Sequence, residues 1–324
     1  MPINNADLIY RRPALLSDAT PAQNGGRMLS SAIVSGVKNN VFPDTRSSER
    51  NAGSDVWRKL FMHVASAGNE ALLDTLACVS EASPGDDFTL LYEGTATDTQ
   101  DQVAGRPYGL GLVADAAAAG AEELLVQLEG GAAAAALEPI RAGDVLRLSP
   151  MSNPVDLEVA SVVAGSGLLT IQLAAPLANA VLAGTVAASV LQVGTLQASV
   201  TAPAITSPAG TLAGISARNK GGVAQAWGLT FTSATDFRLD GDTLGGAVAT
   251  GTTLADFAPV NAGTGSPYFV IPAGAWGGTW VAGDTVAFET IPAAAGLWLR
   301  RITPAGAART DNNAIRLLVV GESE

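Results

Sequence analysis

The sequence predicts a mainly β protein: two or more antiparallel β-sandwich or barrel domains with an extended N-terminal arm and little helix. Three observations carry that expectation. Short runs of alternating apolar residues recur along most of the chain, separated by Gly, Pro or Asn. The 324 residues include 36 Gly and 17 Pro but only 15% charged residues, a balance that suits tight turns and surfaces buried against other subunits. Finally, "RRPALLSDATPAQNGGRM" near the start is punctuated by two prolines and a Gly-Gly pair, which interrupt regular structure.

Taken in order, residues 1–55 read as the basic arm, with one short strand in "AIVSGVKNNVFPD" before a Pro-stopped turn. Residues 56–107, with parts of 206–324, read as the principal β-domain. In "VWRKLFMHV", Val56, Leu60 and Val64 have helical spacing while neighbouring residues alternate, so helix and strand both stay open. Residues 108–205 read as an Ala-rich β-domain, inserted or decorating. There "ELLVQLEG" alternates as a strand although the flanking Ala clusters favour helix. Strands are expected in "DVLRLSP", "VDLEVASVVAG", "LLTIQLAAP", "GTVAASVLQ" and "TLQASVTAP". After the Pro-rich "TAPAITSPAG", residues 206–324 read as a C-terminal β-domain, with strands in "AQAWGLTFTS", "DFRLDGD", "PYFVIPAG", "GTWVAGDTVAFET", "LWLRRITP" and "NAIRLLVVGE".

Ala-Gly-Asp recurs before an alternating run in "IRAGDVLRL" and "WVAGDTVAF", and "VLAGTVAAS" is a looser copy. Gly tolerates positive φ and Asp bonds nearby backbone, so the echo reads as shared turn chemistry leading into a strand. Trp276 and Trp280 flank Gly277-Gly278 and are expected to pack across a hairpin rather than to present a ligand platform. Trp57, Trp227 and Trp298 complete a set of candidate packing or interface aromatics.

Residues 1–60 carry eight Lys/Arg against five acids, a balance of +3; the rest carries ten against twenty-five, a balance of −15, for a total of −12. Arg11, Arg12, Arg27, Lys38, Arg46 and Arg50 are the candidate assembly residues of the arm, placed to dock on the acidic body of a neighbouring copy. The acidic body argues against specific nucleic-acid binding, which needs phosphates neutralised. The single cysteine, Cys78, permits no internal disulfide. The start lacks the apolar core of a signal peptide, and the long uncharged stretch between Glu158 and Arg218 is too broken by Pro, Gly and Asn for a spanning helix.

Catalytic, cofactor-binding and metal-ligating sets are not expected. His63 is the only histidine and lies among apolar residues in "FMHVAS", as a structural histidine would. No Gly-x-Ser-x-Gly elbow, phosphate loop or dinucleotide fingerprint occurs. Carboxylates cluster at Asp86 and Asp87, at Asp98 and Asp101, and at Asp240 and Asp242; the last pair lacks the remaining ligands of a calcium loop.

"GGRMLSSAIVSGVKNNVFPDTRSSERNAGSDVWRKLF", together with "WGLTFTSATDFRLDG" and "GTTLADFAPVNAGTGSPYFVIPAGAWGGTWVAGDTVAFET", resembles virion proteins encoded in the tail-gene clusters of Mu-like, long-tailed transposable phages. The resemblance covers about the first and last thirds of the chain. It implies a β-rich, non-enzymatic subunit of a symmetric assembly in the virion tail, put together in the bacterial host's cytoplasm. A tail-tube subunit forming rings or stacks around a DNA channel is the first expectation, with copies of itself and other tail proteins as partners. A baseplate or distal-tail ring protein is the alternative. A receptor- or glycan-binding module at the tail tip would instead use Trp276, Trp280 and Trp298 as a stacking surface. A polysaccharide hydrolase would draw its acid from Asp86, Asp87, Asp240 or Asp242.

Overall fold

The computed structural model describes residues 2–149, 155–165, 167–311 and 313–324. Five strands open the chain: β1 (Leu8–Leu15), β2 (Gly25–Ala32), β3 (Ser54–Val64), β4 (Leu72–Glu81) and β5 (Phe88–Gly94). Next come β6 (Leu110–Val113), β7 (Glu123–Leu128), β8 (Val145–Ser149), β9 (Val155–Ala164), β10 (Leu168–Leu173), β11 (Val186–Ser189) and β12 (Leu191–Leu196). The last third holds β13 (Gln225–Phe231), β14 (Asp236–Gly241), β15 (Gly245–Thr252), β16 (Thr285–Ile291), β17 (Ala294–Thr303) and β18 (Arg316–Ser323), besides several two-residue strands. The α-helices are short: α1 (Ser47–Ala52) and α2 (Gly131–Ala135). The fold is mainly β, with antiparallel sheets.

The chain builds one base and two insertions. In the base, a five-stranded sheet in the order β2-β1-β3-β17-β5 faces a three-stranded sheet in the order β12-β4-β18. Leu60, Met62, Leu72, Leu91, Leu191, Leu297 and Leu299 interleave between them. Between β5 and β12 the chain leaves to form a closed barrel, β10-β7-β6-β11-β8-β9. Between β12 and β17 it forms a sheet in which β16, β13, β14 and β15 lie side by side. The C-terminal strands β17 and β18 therefore belong to the base with β3, β4 and β5, which is the grouping of 56–107 with parts of 206–324.

Strand β17 explains how the base holds the barrel. Its alternate residues point into two cores: Leu297 and Leu299 into the sandwich, Trp298 into the barrel's core beside Phe88, Leu90 and Tyr92 of β5. Both strands are covered on both faces, which is why they read as continuous apolar runs. Inside the barrel the period-two pattern is clean: Leu124, Val126 and Leu128 on β7 meet Leu146 and Leu148 on β8 and Leu169, Ile171 and Leu173 on β10.

The expected extended arm is corrected. Residues 8–15 and 25–32 are strands of the five-stranded sheet, and β1 pairs with β3 through Leu8–Arg11 against Phe61–Val64. Pro13 hides this strand in the sequence. It lies beyond the part of β1 that pairs with β3, so its missing N–H costs nothing on that side, and the pairing with β2 shifts register on either side of it. The strand expected in "AIVSGVKNNVFPD" is corrected too: β2 ends at Ala32, and residues 33–44 are turns and irregular chain. The ambiguous segment 54–64 is a strand, and its polar residues Arg58, Lys59 and His63 are nearly as buried as its apolar ones.

The repeated Ala-Gly-Asp stretch is one turn used three times. Gly143, Gly184 and Gly283 have φ of 83°, 81° and 97°. Each donates its N–H to a neighbouring carbonyl, on Val159, Val113 and Phe231, at 2.8–2.9 Å. In the two full copies the Asp carboxylate also accepts the N–H three residues back: Arg141 to Asp144 at 2.8 Å, Val281 to Asp284 at 3.0 Å. The turn occupies residues 281–284, so the strand expected from Gly278 begins only at Thr285.

The third unit is held by aromatic packing. Phe231 stacks on Trp280 with centroids 4.4 Å apart and planes 5° from parallel. Trp276 meets Trp280 edge-on at 5.7 Å, and Phe237, Phe257, Phe269 and Phe288 continue the cluster. Gly210 lets Trp280 in: a Cβ there would lie 2.7 Å from the indole ring. Replacing Trp280 with Ala is expected to destabilise this unit by about 3–5 kcal/mol; urea unfolding followed through the remaining tryptophans checks it, and an unchanged midpoint would contradict the packing.

Candidate functional site

The basic N-terminal residues converge on internal joints. Arg11, in β1, is buried and donates from Nε to His63 Nδ1 at 2.7 Å. That leaves the proton of His63 on Nε2, which donates to the Asn219 carbonyl at 2.6 Å. Asn219 is itself wholly buried. Its backbone N–H donates to Asn69 Oδ1 at 2.7 Å, its amide Nδ2 to the Glu70 carbonyl at 2.7 Å, and its Oδ1 accepts from Ala198 at 2.9 Å. This network fastens the loop before β13 to the base. Burial lowers the pKa of His63 to about 4, with the nearby Arg11 cation acting the same way and the Asn219 carbonyl opposing.

Arg27, in β2, makes a second joint. It forms a two-pronged pair with Asp242 at 2.9 and 2.7 Å and donates to the Ala224 carbonyl at 3.1 Å. A fork of this kind fixes orientation as well as charge, and the Arg27 hydrogen bond holds the Asp242 carboxyl below its usual range. The other arm residues also find partners within the chain. Arg12 donates to Asn40, Lys38 pairs with Asp44 at 3.2 Å on the surface, and Arg50 donates to the Thr45 carbonyl at 2.8 Å. Arg46 stands at the start of α1. The six are thus not one basic patch, and Arg11 and Arg27 fasten the third unit.

The five tryptophans separate in the same way. Trp57 and Trp298 meet on the barrel side of the base sheet, 6.4 Å apart, with Tyr92 4.8 Å from Trp57. Trp227, Trp276 and Trp280 lie in the third unit, where the Trp227 indole donates to Thr290 at 2.9 Å. Trp298 and Trp280 are 0% and 5% exposed and belong to different cores, so Trp276, Trp280 and Trp298 do not form one stacking surface.

The four candidate acids are engaged too. Asp86 accepts from Ala308 at 2.7 Å, and Asp87 accepts from Ser83 and Asn313 at 2.7 and 2.6 Å. Asp240 accepts from Ala247 at 2.7 Å, and Asp242 is held by Arg27. These pairs sit in different units. Among the described residues, no group of three His, Cys, Asp or Glu could hold a metal ion. No helix of the described residues is long and apolar enough to cross a membrane.

Sequence reasoning missed a fully buried ion pair, Lys59 with Asp98. The Lys59 ammonium on β3 is 0% exposed and lies 2.6 Å from Asp98 Oδ1. It also donates to the carbonyls of Gly26 and Asp98, at 2.8 and 3.0 Å. Trp298 Nε1 donates to the other Asp98 oxygen at 2.7 Å. The signal available was a lysine inside an alternating strand, at a position where its neighbours point into a core.

What remains on the surface is a set of open sheet edges. Strand β15, "GGAVATGT", is the free edge of the third unit's sheet and carries no charge and no proline. Leu244 and Leu254 beside it are 44% and 76% exposed. Strand β18 is a free edge of the base, with Val320 39% exposed. The barrel, being closed, has no edge. No known protein family, curated protein or solved structure matches the chain.

Two outcomes are expected. Because burial depresses the His63 pKa, its contribution to stability is complete above pH 6.5 and is lost as pH falls from there towards 4. As the only histidine, it gives one imidazole signal set by NMR, which should show the neutral Nε2–H form unchanged between pH 8 and 5. Titration near pH 6.5 would contradict the buried geometry. Asn219→Ala should cost about 2–4 kcal/mol by stranding several buried partners, measurable by chemical denaturation.

Proposed function

We propose that the chain is a structural subunit of a phage tail, most simply a tail-tube protein that assembles with copies of itself into rings or stacks, with a baseplate or distal-tail ring protein as the alternative position. The proposal starts from the resemblance of the first and last thirds of the sequence to tail-cluster virion proteins. The observation that carries it furthest is the uncharged, proline-free edge strand β15. Edge strands of soluble monomers are usually blunted by Lys, Pro, a bulge or a covering loop, because their free N–H and C=O groups recruit another strand. Strand β15 shifts register against β14 near its start, between Gly245 and Ala249, but from there on it has no Lys or Pro, is flanked by exposed leucines, and lies in a chain with only 15% charged residues.

The same reading gives the other features a use. Rings and tubes repeat one heterologous interface, and strand addition across subunits supplies backbone hydrogen bonds for it. The body's net negative charge would repel DNA phosphates and favour passage over binding. The tip-module reading is not favoured, because the three tryptophans it requires are split between two cores.

Electron microscopy of the purified protein, with light scattering on the same sample, tests the proposal. Tubes, stacks or closed rings are expected at high concentration; a monomer at every concentration tried would count against it. A charge placed on the edge, Thr250→Lys, should raise the concentration needed for assembly about tenfold or more, because it defends the edge as lysines do elsewhere. Unchanged assembly would move the joint to another surface.

A further inference from the structure

We propose that Lys59 and Asp98 condense into an intramolecular amide cross-link that fastens β3 to the loop after β5. The reacting atoms are already placed: Lys59 Nζ lies 2.6 Å from Asp98 Oδ1, with side-chain exposures of 0% and 7%. Aromatic rings wall the site, Phe61 at 4.7 Å and Trp298 at 5.8 Å from Nζ. Burying two opposite charges is costly, and a neutral pair is favoured where water is excluded. Burial pushes the Lys59 pKa down, while the Asp98 contact opposes it.

The choice of residue points the same way. The chain has 15 Arg and three Lys. Other partly buried ion pairs, among them Arg58–Asp18, Arg106–Asp144, Arg147–Asp156 and Arg300–Asp55, use arginine, which stays protonated and is the usual choice for such places. The most buried cation is a lysine, which can lose its proton and act as a nucleophile.

The chemistry balances without a co-reactant. A proton passes from Nζ to Oδ1 along the hydrogen bond, leaving an amine and a carboxylic acid. The Nζ lone pair attacks Asp98 Cγ, and the developing oxyanion at Oδ2 is held by the Trp298 Nε1–H, already 2.7 Å away. The Thr95 N–H, 2.9 Å from Oδ1, supports the departing oxygen. A second proton moves from nitrogen to Oδ1, the Cγ–Oδ1 bond breaks, and water leaves. The amide N–H that remains has the Gly26 carbonyl as its acceptor. No redox change occurs.

Mass spectrometry of the denatured full chain is the test. The expected mass is one water below that of the sequence, after allowance for any loss of the initiator methionine. Trypsin should fail to cut after Lys59, and a Glu-specific digest should release residues 50–70 and 94–122 as one joined species. Lys59→Arg keeps the charge but removes the nucleophile, so it should restore the full mass. A wild-type chain of full mass, cut normally after Lys59, would overturn the proposal. So would a missing water that persists in Lys59→Arg or maps to the Asp240-Gly241 pair, where dehydration to a succinimide is the competing source. The readout needs no folded variant, because the wild-type chain alone decides it.

Discussion

The buried contact between Lys59 and Asp98 is the constraint around which the base is arranged. A fully desolvated ammonium is tolerable only if every N–H finds an acceptor, and here three do: Gly26, the Asp98 backbone and the Asp98 side chain. Meeting that condition fixes the start of β2, the loop after β5 and the middle of β3 relative to one another. The Trp298 indole, bonded to the same carboxylate, then fixes β17 and the face on which the barrel sits. Gly25 is part of the arrangement: its φ is 113°, and a Cβ would meet Asp98 O and the Trp298 ring at 2.7 and 2.8 Å.

A second set of buried polar groups does for the third unit what Lys59 does for the base. Arg11, His63 and Asn219 form a chain of hydrogen bonds from the N-terminal hairpin through β3 into the loop before β13. Arg27 repeats the connection at the surface with Asp242. Both originate in the N-terminal hairpin. Charges that look like an excess waiting for a partner are spent within the chain, and the surface that is left is short of charge and open at its sheet edges.

Much of the fold was legible because burial on one face writes itself as alternation. "ELLVQL", "LLTIQL" and "QAWGLTF" are strands for that reason, and the burial of each alternates along its length. The Ala-Gly-Asp turns were legible because Gly and Asp have few other uses at that spacing. The N-terminal hairpin was not, because Pro13 and Gly25-Gly26 read as interruptions, and only the shifted register of β1 against β2 shows how they are accommodated. The joints were not legible either. Asn219 sits in "RNKGG", an unremarkable polar loop, and its role depends on four groups far away in sequence. The apolar neighbours of His63 mark it as a structural histidine, and the hydrogen bonds on both ring nitrogens supply the reason.

The account turns on the N-terminal segment being a clamp within the subunit rather than a free arm, and hydrogen–deuterium exchange of the unassembled protein tests that most directly. Backbone amides of β1 and β2 that pair within the sheet should exchange as slowly as those of β3, whose strand they share, and the slow exchange should extend to Asn219. Exchange of residues 8–32 at the rate of an unfolded chain, while β3 stays protected, would contradict it.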